Sequence, residues 1–353
     1  MICLVHFKPK IWIPFLVTIY GICSVLLTAI NAPTFKGILV VILDVMCTNV
    51  LAGSLAYLSF WVAIPKTWYR FSAFYMLIHA FVSAGEITTL VLSEKTTPTN
   101  PYYYSLAIGS VVLLAGIFGF FDLEESPEKS KYLVEPESHD VIQTLELDRG
   151  LLSNLKKEKL KIKDVLLDRN TYLLSYIYRL STLLSVVNHN LLYSVIQPSE
   201  GDTGSLGIWI TYMLAKYTTF VLAPLLFVYK RTNKCIRRML VVMSIAMSVL
   251  VYILQVKNRK PVTITEAVFL DLLSTYASTI IEIITIITLI VDVKEPRKRV
   301  FSVALFFALY RLYYIVLVYF LNFALDKGKN NYNIVAIVAM VVNFASIIFI
   351  KTS

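Results

Sequence analysis

Charge is scarce in this chain. Only 16% of its 353 residues are Asp, Glu, Lys or Arg, while 57% are hydrophobic; an ordinary soluble domain carries about 25% charged residues. A water-facing surface is therefore excluded for most of the length. Cysteine is scarce too. Cys3, Cys23, Cys47 and Cys235 are scattered, with no CxxC metal spacing and no disulfide framework. Walker, HExxH and GxSxG motifs are missing, and the four histidines (His6, His79, His139, His189) stand far apart, so nothing points to an enzyme. No Asn-x-Ser/Thr sequon occurs, so glycosylation gives no topological marker.

What the chain does hold is long apolar runs. Ten lie near 11–30, 37–63, 71–93, 102–121, 171–196, 207–229, 238–256, 264–291, 300–325 and 332–350. A helix needs about 20 mostly apolar residues to span a hydrocarbon core of roughly 30 Å. Lipid offers no partners to backbone N–H and C=O, so such runs are expected as helices. Most are apolar on every face rather than striped. The expected fold class is an all-α polytopic membrane protein of about ten transmembrane helices. The run from Ile11 is too long for a signal-peptide core and no clean cleavage site follows it.

The net charge of +10 reads as topology. Alternate connections, taken together with the N-terminal stub and Lys351, hold 23 Lys and Arg; the other set holds seven. The positive-inside rule places the first set, and with it both termini, in the cytosol. Lys257, Arg259 and Lys260 form the one basic cluster on the opposite side. Nucleic acid is not an expected partner; the lipid bilayer is. A plasma-membrane location is expected.

One connection is long. Residues 122–170 carry twelve acids and nine bases. They divide the chain into four spans (1–121), a cytosolic loop (122–170) and six spans (171–353). Within the loop, Val141–Leu152 and Leu155–Leu167 have apolar residues at helical spacing. A pair of short cytosolic helices explains them. A basic amphipathic helix on anionic lipid is the other reading of Lys156–Lys163, diluted by Glu158, Asp164 and Asp168.

Several motifs follow one another in order. Glu124-Glu125-Ser126-Pro127 follows the fourth span, with Tyr132-Leu133-Val134 after it. Asp164-Val165-Leu166-Leu167 leads into Thr182-Leu183-Leu184-Ser185-Val186-Val187-Asn188, then Tyr193-Ser194. Lys230-Arg231-Thr232-Asn233-Lys234-Cys235-Ile236-Arg237-Arg238 is a basic loop, and Asp292-Val293-Lys294-Glu295-Pro296-Arg297-Lys298-Arg299 a later one. In the first half stand Lys8, Lys10, and Tyr57-Leu58-Ser59 through Pro65 to Arg70. This series resembles the sugar porters of the major facilitator superfamily, the group that includes the facilitated trehalose and glucose transporters of insects. On that register the chain is expected as a major-facilitator-like bundle lacking the family's first two helices. The resemblance implies facilitated transport of a small neutral sugar, a hexose or a disaccharide such as trehalose, by alternating access, with no cofactor. Thr182-Leu183 stands where the family has Gln-Gln, and Ile284–Ile287 lacks the family's Pro-x-Pro-Trp break. Those departures keep a second reading open: a degenerate or truncated membrane protein that binds or regulates without transporting.

Ionisable and amide groups inside membrane spans are costly and mark function by default. Here they are Asp44, Glu86, Arg179, Asn188, His189, Asn190, Lys216, Asp271, Glu282 and Arg311. Asn188 matches a sugar-contacting Asn of the family, and an amide both donates to and accepts from hydroxyls. Asn190 and Tyr193 are its expected helpers in substrate binding. An Asn bonded only to a neighbouring helix is the plainer alternative. Glu282 and Arg311 both fall near mid-span, so an intramembrane ion pair is expected, either structural or a gate.

Overall fold

The computed structural model describes residues 9–30, 32–63, 66–95, 101–125, 127, 130–131, 137–149, 162–179, 181–182, 212, 214–216, 218, 264–293 and 295–326. Regular structure among them is helical throughout. The helices are α1 (Pro9–Ala29), α2 (Pro33–Trp61), α3 (Thr67–Lys95), α4 (Pro101–Asp122), α5 (Glu137–Arg149), α6 (Ile162–Leu166), α7 (Ile264–Asp292) and α8 (Pro296–Asp326). A further helical segment covers 169–179.

Six of the expected spans are thus present as helices α1–α4, α7 and α8; α7 begins where expected, at Ile264, and the other five begin one to four residues earlier than their apolar runs. Proline explains four of those starts. Pro9, Pro33, Pro101 and Pro296 each open a helix; the first helical position loses nothing by lacking an N–H, and the fixed φ suits it. The expected span 171–196 begins in the segment 169–179. Those at 238–256 and 332–350, and most of 207–229, lie outside the described residues. In the polar connection, α5 starts at Glu137, before the apolar pattern does, where an acid favours a helix N-terminus. Residues 150–161 of that connection lie outside the described set.

Four helices among the described residues are long and apolar enough to cross a membrane: Lys10–Ala29, Pro33–Trp61, Asp271–Asp292 and Lys298–Val316. Phe35, Val41, Val111, Phe118 and Phe121 are more than half exposed. So many outward aromatic and branched side chains on adjoining helices form an apolar surface that lipid accommodates and water does not.

The chain divides into two compact units, 1–67 with 88–167 and 290–307, and 68–87 with 168–289 and 308–353. In the first, α1 packs chiefly on α4 and then on α2, while α2 also touches α5. Glycine sets the α1–α4 distance. A Cβ on Gly21 would stand 2.5 Å from Leu113 N, and one on Gly116 would stand 2.5 Å from Thr18 Oγ1 and 2.7 Å from Thr18 N. Only backbones in direct apposition give such distances, the contact that small residues allow between membrane helices. As the register climbs from 113 to 116 on α4 it descends from 21 to 18 on α1, so the pair is antiparallel. Pro14 sits inside α1, where Thr18 Oγ1 donates to its carbonyl at 2.8 Å.

This unit also corrects one sequence reading. Arg299, counted above with the bases of a cytosolic loop, is only 1% exposed. Its guanidinium lies over the Phe60 ring, 5.0 Å from the centroid, and its N–H is already in the helix, donating to Glu295 O at 2.9 Å. Tyr57 donates to the Glu124 carbonyl at 2.6 Å, which ties Glu124, two residues past α4, to the last part of α2.

Candidate functional site

The second unit is built around α7. From Ala277 to Ile287 every residue of this helix is buried. Along it run Asp271, Thr275, Ser278, Glu282 and Thr285, spaced four, three, four and three residues apart, and all are buried. That spacing puts them on one face. A helix apolar by composition therefore carries a polar stripe turned into protein. Ser278 donates to the Thr275 carbonyl at 3.0 Å and Thr285 to the Glu282 carbonyl at 2.9 Å. Ser274 and Thr279 bond back in the same way. Such bonds satisfy the hydroxyl proton locally and leave the oxygen lone pairs free to accept.

Two charged groups belong to the stripe, Asp271 at its start and Glu282 one step before Thr285, about 16 Å apart at the rise of an α-helix. Toward one end Tyr178 hydrogen-bonds Glu282, and Arg179 is the cation acting on that carboxylate. Arg179 comes from the segment 169–179 and is 4% exposed. Its Nη1 donates to Tyr310 Oη at 3.2 Å and to Thr182 Oγ1 at 3.3 Å. Its guanidinium also faces the rings of Tyr314 at 4.1 Å and Tyr310 at 5.1 Å. Buried cation–π contacts are worth about 2 kcal/mol or more when desolvated. Tyr178 and Tyr310 meet edge to face at 5.1 Å, so three tyrosines fix the guanidinium. Tyr75, from α3, lies beside Glu282 and Tyr178.

At the other end Tyr212 donates to Asp271 Oδ2. Lys216 Nζ stands 5.9 Å from the Tyr212 ring centroid. His79 of α3 lies within electrostatic range of Lys216 and 6.1 Å from the Tyr75 ring.

Of the residues expected from sequence, Glu282 and Arg311 fall in one cluster. Arg311 lies against the Tyr310 ring at 5.4 Å and beside Arg179. The contacts of Glu282 run to Tyr178 and Arg179. Asn188, Asn190 and Tyr193 lie outside the described residues. The sequence reading had no place for Tyr75, Tyr178, Tyr310 and Tyr314, which join the charged groups. The spacing of Asp271, Thr275, Ser278, Glu282 and Thr285 was the signal for the stripe, hidden because serine and threonine barely lower the hydropathy of a long run.

No family model matches the chain, and no curated protein matches it. Among solved structures, a proton:xylose symporter of the major facilitator superfamily, XylE, bound to 6-bromo-6-deoxy-D-glucose, matches with a TM-score of 0.66 at 12% identity. The match covers 99% of this chain and 82% of that one. The chain has the major facilitator fold. It is an integral membrane protein, all-α and polytopic. The α7 stripe is a polar face turned into protein on a helix that is otherwise apolar, a placement that keeps its oxygens away from lipid.

Proposed function

We propose that the protein carries a small sugar across a membrane by alternating access. The supporting observation is the enclosed stripe of α7: hydroxyls that accept hydrogen bonds, between two anchored charges, on a helix with no other reason to be polar. A sugar is a ring of donors and acceptors, and a row of oxygen acceptors complements its hydroxyl protons. The fold alone does not choose a substrate. The likeness to a sugar-bound symporter is consistent with a sugar rather than a peptide or a lipid.

Within this reading Asn188, with Asn190 and Tyr193, contributes amide and phenol contacts to the same sugar, and a neutral hexose or a disaccharide such as trehalose is the substrate. The four spans up to residue 121 and the six from 171 act as the moving halves, joined by the loop 122–170. The plasma membrane with both termini cytosolic is the proposed setting, from the 23-to-seven asymmetry of basic residues. Counterflow in proteoliposomes tests the proposal. Vesicles loaded with unlabelled D-glucose, D-xylose or trehalose should take up the labelled sugar transiently, and Asn188→Ala should slow it. Folded protein that exchanges none of the three would overturn the reading.

A further inference from the structure

Arg179 is a buried cation that hydroxyl binding along α7 does not explain. It is 4% exposed. The carboxylate it acts on, Glu282, sits about 15 Å from the end of α7 at Asp292, near the middle of a roughly 30 Å core. A guanidinium held at that depth is costly unless its donors are used. They are not all used. Nη1 donates to the neutral oxygens of Tyr310 and Thr182, and the rings of Tyr310 and Tyr314 take the flat face. Nε is buried and has no hydrogen-bond partner among the described residues. Neutral side chains thus fix the guanidinium while one donor on its edge stays open. A native protein seldom buries a donor and leaves it unspent. One that is also held rigid is preorganised for an acceptor that arrives from outside.

We propose that Arg179 is the receptor for a carboxylate carried by the sugar, so that the path along α7 takes a sugar acid, an aldonate or a uronate, in preference to its neutral counterpart. The inference rests on the transport reading above. Charge supports it. Among the described residues the cluster holds two guanidiniums, Arg179 and Arg311 beside it, and one carboxylate, Glu282. Its field is positive, and low dielectric strengthens the attraction for an added anion. A carboxylate brings one negative charge, matching the excess of that cluster; a phosphate monoester brings about two. Geometry supports it as well. Hydrogen bonds from a guanidinium edge to a carboxylate are charge-assisted and roughly twice as strong as neutral ones. Glu282 marks where Arg179 meets the stripe, and Ser278 and Thr285 lie four residues before it and three after, each about one turn away on the same face. Their oxygens accept from sugar hydroxyls. A molecule with a carboxylate at one end and hydroxyls along its length meets the open donor and the stripe together. A neutral sugar meets the stripe alone.

The test compares D-glucuronate with D-glucuronamide, which has the same ring and shape but no charge, and with D-glucose. Counterflow of each labelled compound is measured in proteoliposomes loaded with the same compound unlabelled, so exchange moves no net charge. Wild type is expected to reach half-saturation with D-glucuronate at a concentration about tenfold below that for D-glucuronamide, the factor given by about 1.4 kcal/mol from one charge-assisted hydrogen bond. In Arg179→Gln the two half-saturation values are expected to converge. Equal values in wild type, or a preference for D-glucuronate that survives Arg179→Gln, overturn the receptor. Exchange of D-glucose without D-glucuronate overturns it too and leaves the transport reading standing. Exchange of D-glucuronate alone upholds it and removes only the neutral substrate from that reading. If wild type exchanges none of the compounds, both fail. Should Arg179→Gln not fold, thermal unfolding of wild type in detergent at fixed ionic strength decides. D-glucuronate is expected to protect at about tenfold lower concentration than D-glucuronamide, and equal protection by the two overturns the proposal.

Discussion

Removing Arg179 tests the packing logic of the α7 cluster. In Arg179→Leu the Tyr310 and Thr182 contacts at 3.2 and 3.3 Å are lost, together with the guanidinium over the Tyr314 ring at 4.1 Å. Glu282, 8% exposed, is left without the cation that acts on it. Stranding one partner of a buried pair costs about 3–5 kcal/mol. Removing the carboxylate as well takes away most of that penalty, because no buried charge then lacks a partner. Reversible unfolding in mixed micelles, run on wild type, Arg179→Leu, Glu282→Leu and the double variant, yields the coupling. Residues in one network couple by about 0.5–3 kcal/mol, and a value toward the upper end is expected here. A parallel cycle pairs Glu282→Leu with Arg311→Leu. It should give a smaller coupling, since the groups acting on the carboxylate are Tyr178 and Arg179, while Arg311 lies against Tyr310 and beside Arg179. A coupling near zero for Arg179 with a large one for Arg311 would refute the arrangement described.

Three further outcomes are expected. Gly116→Val should force α1 and α4 apart, because even a Cβ meets Thr18 backbone nitrogen at 2.7 Å; overpacking of this kind costs about 1–3 kcal/mol, read as lost monodisperse yield in fluorescence-detected size exclusion, whereas Gly37→Val, with open space around it, should behave as wild type. Tyr212→Phe withdraws a donor from the buried Asp271 and should lower stability by about 1–3 kcal/mol in the same unfolding assay; no change would mean that this hydrogen bond is not held in the membrane. A cysteine placed at Asp140, in a background with the native cysteines replaced, should resist a membrane-impermeant thiol reagent applied outside intact cells, and rapid labelling there would reverse the topology.

Long apolar runs with few charges have one structural solution in lipid, so the six helices α1–α4, α7 and α8 were legible to within a few residues. Their starts were less so, since Pro9, Pro33, Pro101 and Pro296 nucleate helices ahead of the apolar pattern. Glu282 and Arg311 stood out because charge in a span is rare. Their surroundings did not. Arg179 was one intramembrane charge among several, and tyrosine is both common in this chain and apolar by most scales, so a phenol that orients a guanidinium looks like any lipid-facing ring. Arg299 misled because a base next to Glu295 and Pro296 reads as loop, whereas the helix already includes it and Phe60 covers it. Two glycines in contact at Thr18 and Leu113 could not be found from spacing alone, because the partner helix has to be known first.

Sugar counterflow, measured with Ser278→Leu beside wild type, shows whether sugar passes along α7. Ser278 lies between Thr275 and Glu282 on the buried face of α7, and leucine there fills the stripe without adding charge. Wild type is expected to show saturable counterflow of at least one of D-glucose, D-xylose and trehalose, and Ser278→Leu a drop of tenfold or more at unchanged folded yield. Counterflow of equal rate in the two proteins would mean that the sugar does not pass along α7.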